Sequence, residues 1–442
     1  MTHLLKLLDP NRLEEGFHDK KPGYTAAEAR AEAERCLYCS DAPCIKACPT
    51  EIDIPTFIKK IASGNDRGSA RTIFEQNLLG YSCARVCPVE VLCVGSCVYN
   101  GWGRDPIQIG RLQRYATEAA TAAGQAPMLT PKAKTGKKVA CIGAGPGSLA
   151  FAGYLRLEGH DAVIFEKRRV PGGLNTTGVA PYKLKADDSL REVGWLTNIG
   201  VEIQTGVEVG GAGGPSAADL LRDYDAVFIG VGLGDDTRLG VPGEDGPGVV
   251  GATAWIEEMK LKGGFAKPPA TVLVIGGGNT AIDVARECAL LGAGDVAMVY
   301  RRGKEDMSGY EHEMSGARKE TVRLVEHAAV TEFVRDASGK LVAAKIADTK
   351  EGKPVAGSER LVPCELAVIA IGQSKLRSLA QAFAGVELDA KGCVKVDPKT
   401  CATGHAKVFA GGDCINGGKE VVNAVADGRN AARYLMAQWA EA

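Results

Sequence analysis

Two stretches constrain this chain more than any other feature: K-K-V-A-C-I-G-A-G-P-G-S-L-A from residue 137 and A-T-V-L-V-I-G-G-G-N-T-A-I-D from residue 270. Each is a short apolar, β-branched run, then clustered glycines, then an alanine-rich helical pattern. Parallel strands can be joined only by a crossover, usually a helix, so this order predicts a parallel α/β sheet twice over. Glycines at that turn let the backbone approach a pyrophosphate, and the helix behind it points free N–H groups at negative charge. Two dinucleotide-binding folds are therefore expected in one chain.

In the first copy, Gly143, Gly145 and Ser148 fill a G-x-G-x-x-S frame after the strand 139–142. Serine at the third position is a small departure that still allows close helix packing. The second strand, D-A-V-I-F-E-K, carries Glu166, 23 residues after Gly143, where an acid accepts hydrogen bonds from an adenosine ribose. The bland alternative is a glycine turn with a chance acid. In the second copy, Gly276, Gly278 and Ala281 form G-x-G-x-x-A, with Asn279 and Thr280 opening the helix. Its second strand, V-A-M-V-Y, runs into Arg301 and Arg302 with no acid. Two guanidiniums can accept a 2′-phosphate, which favours NADPH on charge; solvated arginines on a loop rim are the alternative.

The first ~130 residues have a different texture, helical and loop-rich. T-A-A-E-A-R-A-E-A-E-R (25–35) reads as a helix opened by a Thr25–Glu28 capping box, I-P-T-F-I-K-K-I-A-S-G (54–64) as a short amphipathic helix closed by Gly64, and 109–120 as a third helix. A linker is expected at 124–138. Of fourteen cysteines, eight lie between Cys36 and Cys97, spaced C-x2-C-x4-C-x3-C-P and then C-x3-C-P-x4-C-x3-C from Cys83. Zinc sites normally use two separated C-x2-C knuckles, and only Cys36 and Cys39 have that spacing. The ending C-x3-C-P is similar to the bacterial ferredoxin segment, so two groups of four cysteines read as two [4Fe-4S] clusters. Disulfides are disfavoured in a reducing compartment.

The formal net charge is −1, which disfavours nucleic acid as a partner. The N-terminal apolar residues end at Asp9 and Pro10, and no later apolar run reaches membrane-span length, so a cytoplasmic protein with no membrane partner is expected.

Further stretches resemble known families. A-K-V-F-A-G-G-D-C (406–414) resembles the second flavin motif of the two-dinucleotide-binding flavoproteins, with G-G-L-N-T-T-G-V-A-P-Y-K-L (172–184) similar to the loop near the isoalloxazine and A-V-I-A-I-G-Q (367–373) similar to the strand returning from the nicotinamide domain. The resemblance implies FAD in the first fold, held also by Gly173, Gly412 and Asp413, and NADH or NADPH in the inserted second fold. C-L-Y-C-S-D-A-P-C-I-K-A-C-P-T-E-I-D-I-P, then L-L-G-Y-S-C-A-R-V-C-P-V-E-V-L-C-V-G-S-C and P-I-Q-I-G-R-L-Q-R-Y-A-T, resemble the N-terminal half of dihydropyrimidine dehydrogenase, in bacteria a separate electron-input subunit. That resemblance spans nearly the whole chain.

It implies Cys36, Cys39, Cys44 and Cys97 on one cluster, and Cys48, Cys87, Cys93 and Gln113 on the other. Gln113 stands sixteen residues after Cys97, as in the family. Cys83 is then left over; spacing alone would make it the eighth ligand. The small subunit of glutamate synthase is the near alternative, with a typically tighter second cysteine block and an acid at the Gln113 position. The five residues between Cys87 and Cys93 favour the pyrimidine enzyme.

The implied fold class is α/β: a helical N-terminal iron–sulfur domain (1–130), then two Rossmann-like domains, one for FAD (131–242 and 373–442) and one for NAD(P)H inserted within it (243–372). The implied activity passes electrons from NAD(P)H through FAD and two clusters to an FMN- and iron–sulfur-containing catalytic subunit, in a heterotetramer, that reduces uracil or thymine to the 5,6-dihydro form. On family grounds NADH is preferred, against the charge of Arg301 and Arg302. No catalytic side chain is expected for that half-reaction. His312 and His327 read as surface or packing residues. A redox-sensing scaffold without turnover is the alternative from another class.

Overall fold

The computed structural model describes residues 2–122 and 128–441; residues 124–127 of the expected linker lie outside them. The described residues fall into two compact units. Asp9–His18 and Gly234–Ser374 form one, and the remainder form the other.

The larger unit opens with short helices. Ala26–Glu34 starts at Thr25, whose hydroxyl accepts from the Glu28 amide at 3.3 Å while the Glu28 carboxylate accepts from the Thr25 amide at 2.8 Å. That reciprocal pair satisfies two donors the helix cannot use itself. Ala29 and Ala33 are its buried face. Ile54–Ala62 is capped by Asp53 through the Thr56 amide at 3.1 Å and buries Ile54, Phe57, Ile58 and Ile61, one stripe at i, i+3, i+4 and i+7. It ends at Ser63, followed by Gly64 with φ +76°. Ile109–Ala122 packs on both Ile54–Ala62 and Gly80–Val86. The core they enclose includes Cys48 and Cys93, with Cys36, Cys44 and Cys97 packed against it.

The same unit continues into a five-stranded parallel sheet, in the order Val408–Ala410, Ala226–Ile229, Lys138–Ile142, Asp161–Glu166, Glu202–Thr205. Helices on its faces leave Val139–Ile142 and Ala226–Ile229 fully buried, which is why these strands are continuous apolar runs rather than alternating ones. Lys138–Ile142 lies between the strand that follows it in sequence and one reached by crossover, so strand order reverses at its C-terminal end. The first glycine turn sits there, the position where open α/β sheets bind ligands.

The second unit repeats the plan, in the order Val249–Gly251, Leu366–Ile369, Thr271–Ile275, Asp295–Val299, Arg323–Val325, all parallel. It adds an antiparallel sheet built on Leu341–Lys350, which pairs with Ala328–Arg335, Arg360–Pro363 and Lys353–Pro354. The architecture is the expected α/β one, helical first and then Rossmann-like; the antiparallel sheet was not anticipated. Among the described residues no helix is long and apolar enough to cross a membrane.

Candidate functional site

The flavin-type turn is built as its glycines require. Gly143 has φ +85°, and a Cβ there would stand 2.8 Å from the Gly230 carbonyl oxygen. Gly145 caps the helix Pro146–Leu157 in extended conformation, leaving first-turn amides free of intrahelical partners. Ser148 is fully buried in the first turn, close enough to residue 230 that a Cβ there would lie 2.1 Å from its Oγ. Gly230 thus makes room for the serine. Glu166 is buried at the end of its strand; Oε2 accepts from the Ala144 amide at 2.7 Å and Oε1 from the Arg168 amide at 2.8 Å. Those bonds fix the carboxylate beside the turn with lone pairs to spare.

Gly173 (φ +57°) precedes the short helix Leu174–Thr177, and a Cβ on it would meet Cα of Gly145 at 2.9 Å. The turn and the G-G-L loop are therefore in contact. Gly412 (φ +77°) donates its amide to Asp427 at 2.9 Å, and Asp413 Oδ1 accepts from the Lys419 amide at 3.0 Å. Burial pushes the carboxyls of Asp413 and Asp427 up, the latter to about 6. Ser148 Oγ and Asn175 Oδ1 are buried without a partner among the described residues. Free helix amides, a seated acid and side-chain oxygens left unsatisfied fit a dinucleotide.

The second turn has the same design. Gly276 would place a Cβ 2.3 Å from the Ala370 carbonyl oxygen, and Gly277 would place one 2.6 Å from the Tyr300 ring. Gly278 caps Asn279–Leu290; Asn279 Oδ1 accepts from the Tyr310 amide at 2.9 Å, Thr280 is exposed, and Ala281 is buried. Arg301 and Arg302 are exposed, and neither forms an ion pair among the described residues; Arg302 lies 5.4 Å over the Tyr300 ring. His312 stacks on Tyr310 and His327 is exposed.

Cys36, Cys39 and Cys44, close in sequence, and the distant Cys97 line one pocket together with Ile54 and Ile58. Cys48, Cys83, Cys87 and Cys93 form a second, more buried group, in which the Cys83 thiol, then burial, push the Cys87 thiol up. Gln113 is buried on the helix packed against Gly80–Val86, and its Nε2 donates to the Gly80 carbonyl at 2.8 Å, leaving Oε1 unused by that bond.

Among the described residues no three cysteine sulfurs lie within 4.8 Å of one another. Four sulfurs around a single zinc stand roughly 3.8 Å apart, from Zn–S bonds of about 2.3 Å. Each group offers the four donors that a [4Fe-4S] cluster takes, one to each iron. Burial first, then neighbouring thiols, push Cys44 and Cys93 up to about 12. Such thiols deprotonate only beside compensating positive charge, which ligated iron supplies.

Sequence reasoning missed the polar joint behind these sites. Buried Glu192, on the helix Ala186–Asn198, accepts from the amides of Tyr81 (2.9 Å) and Ser82 (3.2 Å) and from the Ser82 hydroxyl (2.5 Å). Asn175 donates to both Ser82 and Ser189 at 3.0 Å. The G-G-L-N loop is thereby tied to the helix that leads into Cys87.

A family model described as dihydropyrimidine dehydrogenase domain II, 4Fe-4S cluster, matches residues 12–125, and one described as pyridine nucleotide-disulphide oxidoreductase matches residues 137–428. The glutamate synthase (NADPH) small chain of Escherichia coli is 35% identical over 442 residues, covering 95% of this chain and 93% of that protein. The NAD-dependent dihydropyrimidine dehydrogenase subunit PreT of Salmonella typhimurium is 33% identical over 415 residues, covering 94% of this chain and 95% of that protein. Thioredoxin reductase of T. acidophilum matches with a TM-score of 0.56 at 23% identity, over 69% of this chain and 99% of that one, a likeness of fold.

Proposed function

The chain belongs to the pyridine nucleotide-disulphide oxidoreductase family, with a 4Fe-4S domain ahead of that fold, and on that premise we propose that it is the electron-input subunit of a dihydropyrimidine dehydrogenase. It takes reducing equivalents from NAD(P)H and delivers them to a separate FMN- and iron–sulfur-containing subunit that reduces uracil or thymine. When bound, FAD interconverts two-electron hydride chemistry and single-electron transfer, and the clusters carry the single electrons.

The residues have distinct tasks. Gly143, Gly145 and Ser148 bring the backbone against the FAD pyrophosphate, Glu166 receives ribose hydroxyls, and Gly173, Gly412 and Asp413 hold the flavin end. Gly276, Gly278, Asn279, Thr280 and Ala281 seat the nicotinamide dinucleotide, with Arg301 and Arg302 at its adenosine side. Cys36, Cys39, Cys44 and Cys97 hold one [4Fe-4S] cluster; Cys48, Cys87, Cys93 and Gln113 hold the other.

Gln113 carries the pyrimidine reading. Its amide is oriented by the Gly80 carbonyl, so the oxygen is the end that remains for a metal. A second reading, the small subunit of a glutamate synthase, is supported by the 35% identical Escherichia coli relative. Rapid mixing of the anaerobic protein with NADH tests the half-reaction: bound flavin bleaches, and uracil is consumed only once the partner is added. Uracil turnover by the isolated chain would overturn the two-subunit reading, and no bleaching with either nucleotide would favour a scaffold.

A further inference from the structure

The loop Cys48–Glu51 is backed by buried polar groups that the functions above leave unused. Thr50 is fully buried, and its Oγ1 lies 3.4 Å from Cys48 Sγ. Asn77, also fully buried, donates Nδ2 to the same Oγ1 at 3.4 Å, while its Oδ1 accepts from the Leu79 amide at 3.0 Å. The Leu79 bond fixes which end of the amide faces the threonine. The Thr50 hydroxyl is therefore an acceptor toward Asn77, and its single proton is left for sulfur. A ligating cysteine is a thiolate with no proton to give, so the hydrogen bond can run only from Thr50 to Cys48.

Arg429 stands behind the same loop, on the helix Val421–Glu441 that follows the Asp413 motif. It is 2% exposed and donates to the Thr50 carbonyl and, at 3.2 Å, to Gln76. Its anionic partner is Glu51 at 3.2 Å, whose side chain is 67% exposed. Water screens the carboxylate far more than the guanidinium, so the interior side of the loop carries net positive charge.

We propose that Thr50 and Arg429 set the reduction potential of the cluster bound through Cys48, holding it above what the cysteines alone would give. The inference rests on the reading of Cys48 as a cluster ligand. Reduction adds one electron, supplied from the nicotinamide, and neither forms nor breaks a bond. The added negative charge is stabilised by a hydrogen bond to the ligand sulfur and by a buried cation, both recognised determinants of cluster potential.

The test is an anaerobic redox titration of the holoprotein followed by electron paramagnetic resonance, with iron content measured in parallel. Cys48→Ala, which leaves no donor atom at that position, first identifies the cluster concerned by loss of its signal; if it keeps all its iron and both signals, the ligand reading falls and the inference with it. Thr50→Val is expected to make that cluster's midpoint more negative and to leave the other unmoved. A tenfold smaller reduced-to-oxidised ratio at fixed potential corresponds to about 59 mV for one electron. Thr50→Ser keeps the hydroxyl and is expected to keep the potential. Arg429→Gln should also shift the midpoint negative, while Arg429→Lys, which keeps the charge, should shift it less. Should Thr50→Val fail to hold its cluster, the arginine pair decides. Full iron content with unmoved midpoints in Thr50→Val, or identical midpoints in the two arginine variants, overturns the proposal.

Discussion

Cys83 lies on the helix Gly80–Val86, one turn before Cys87, and its thiol pushes the Cys87 thiol up. Spacing alone makes it a ligand; the resemblance gives that place to Gln113. With Gln113 as the ligand, Cys83→Ala keeps its full iron, read by iron-to-protein ratio, whereas loss of about four irons per chain would make Cys83 the ligand. Glu192 was not legible, because a lone glutamate in a helical pattern reads as a solvated face. Burial raises its pKa to about 8, against the lowering effect of its bonds from Ser82 and Tyr81 and of Arg85. The folded chain then holds a proton that the unfolded chain releases above pH ~4.5. Its stabilising contribution is full below that value and lost as pH rises toward 8, at a slope of at most about 1.4 kcal/mol per pH unit. The melting temperature of Glu192→Gln should therefore fall less than that of the native chain between pH 6 and 8.

Elements with a strong period or cap were readable. Thr25 and Glu28 announce their helix, and the buried stripe from Ile54 to Ile61 announces the next. The strand Leu341–Lys350 was not readable. Its sequence, L-V-A-A-K-I-A-D-T-K, is rich in alanine and lysine, residues that favour helix, and its burial does not alternate cleanly. Pairing with Ala328–Arg335 and Arg360–Pro363 overrides that preference. The strand Asp295–Val299 runs toward Arg301 and Arg302, which are exposed and, among the described residues, form no ion pair. If they bind a 2′-phosphate, replacing both by alanine lowers kcat/KM for NADPH about tenfold, roughly 1.4 kcal/mol, and leaves NADH unchanged. An equal effect on both nucleotides would assign them no such role.

At the scale of the molecule, the doubled glycine frame is enough to anticipate two parallel sheets, and the capped and amphipathic stretches before residue 130 to anticipate a helical region, which shares one compact unit with the first sheet. The place of residues 9–18 is not legible. They join the second unit through Glu14, fully buried between Lys260 at 3.4 Å and Arg12 at 3.3 Å. Charges near a chain end usually read as solvated, and only tertiary packing reveals such a buried cluster. What the whole chain serves depends on the protein that accepts its electrons. The most direct measurement is anaerobic affinity isolation of the tagged chain from its own cells, with mass identification of what accompanies it. The account predicts a flavin-containing subunit of the dihydropyrimidine dehydrogenase type, able to reduce uracil with NADH once combined with this chain; a glutamate-forming large subunit in its place would contradict it.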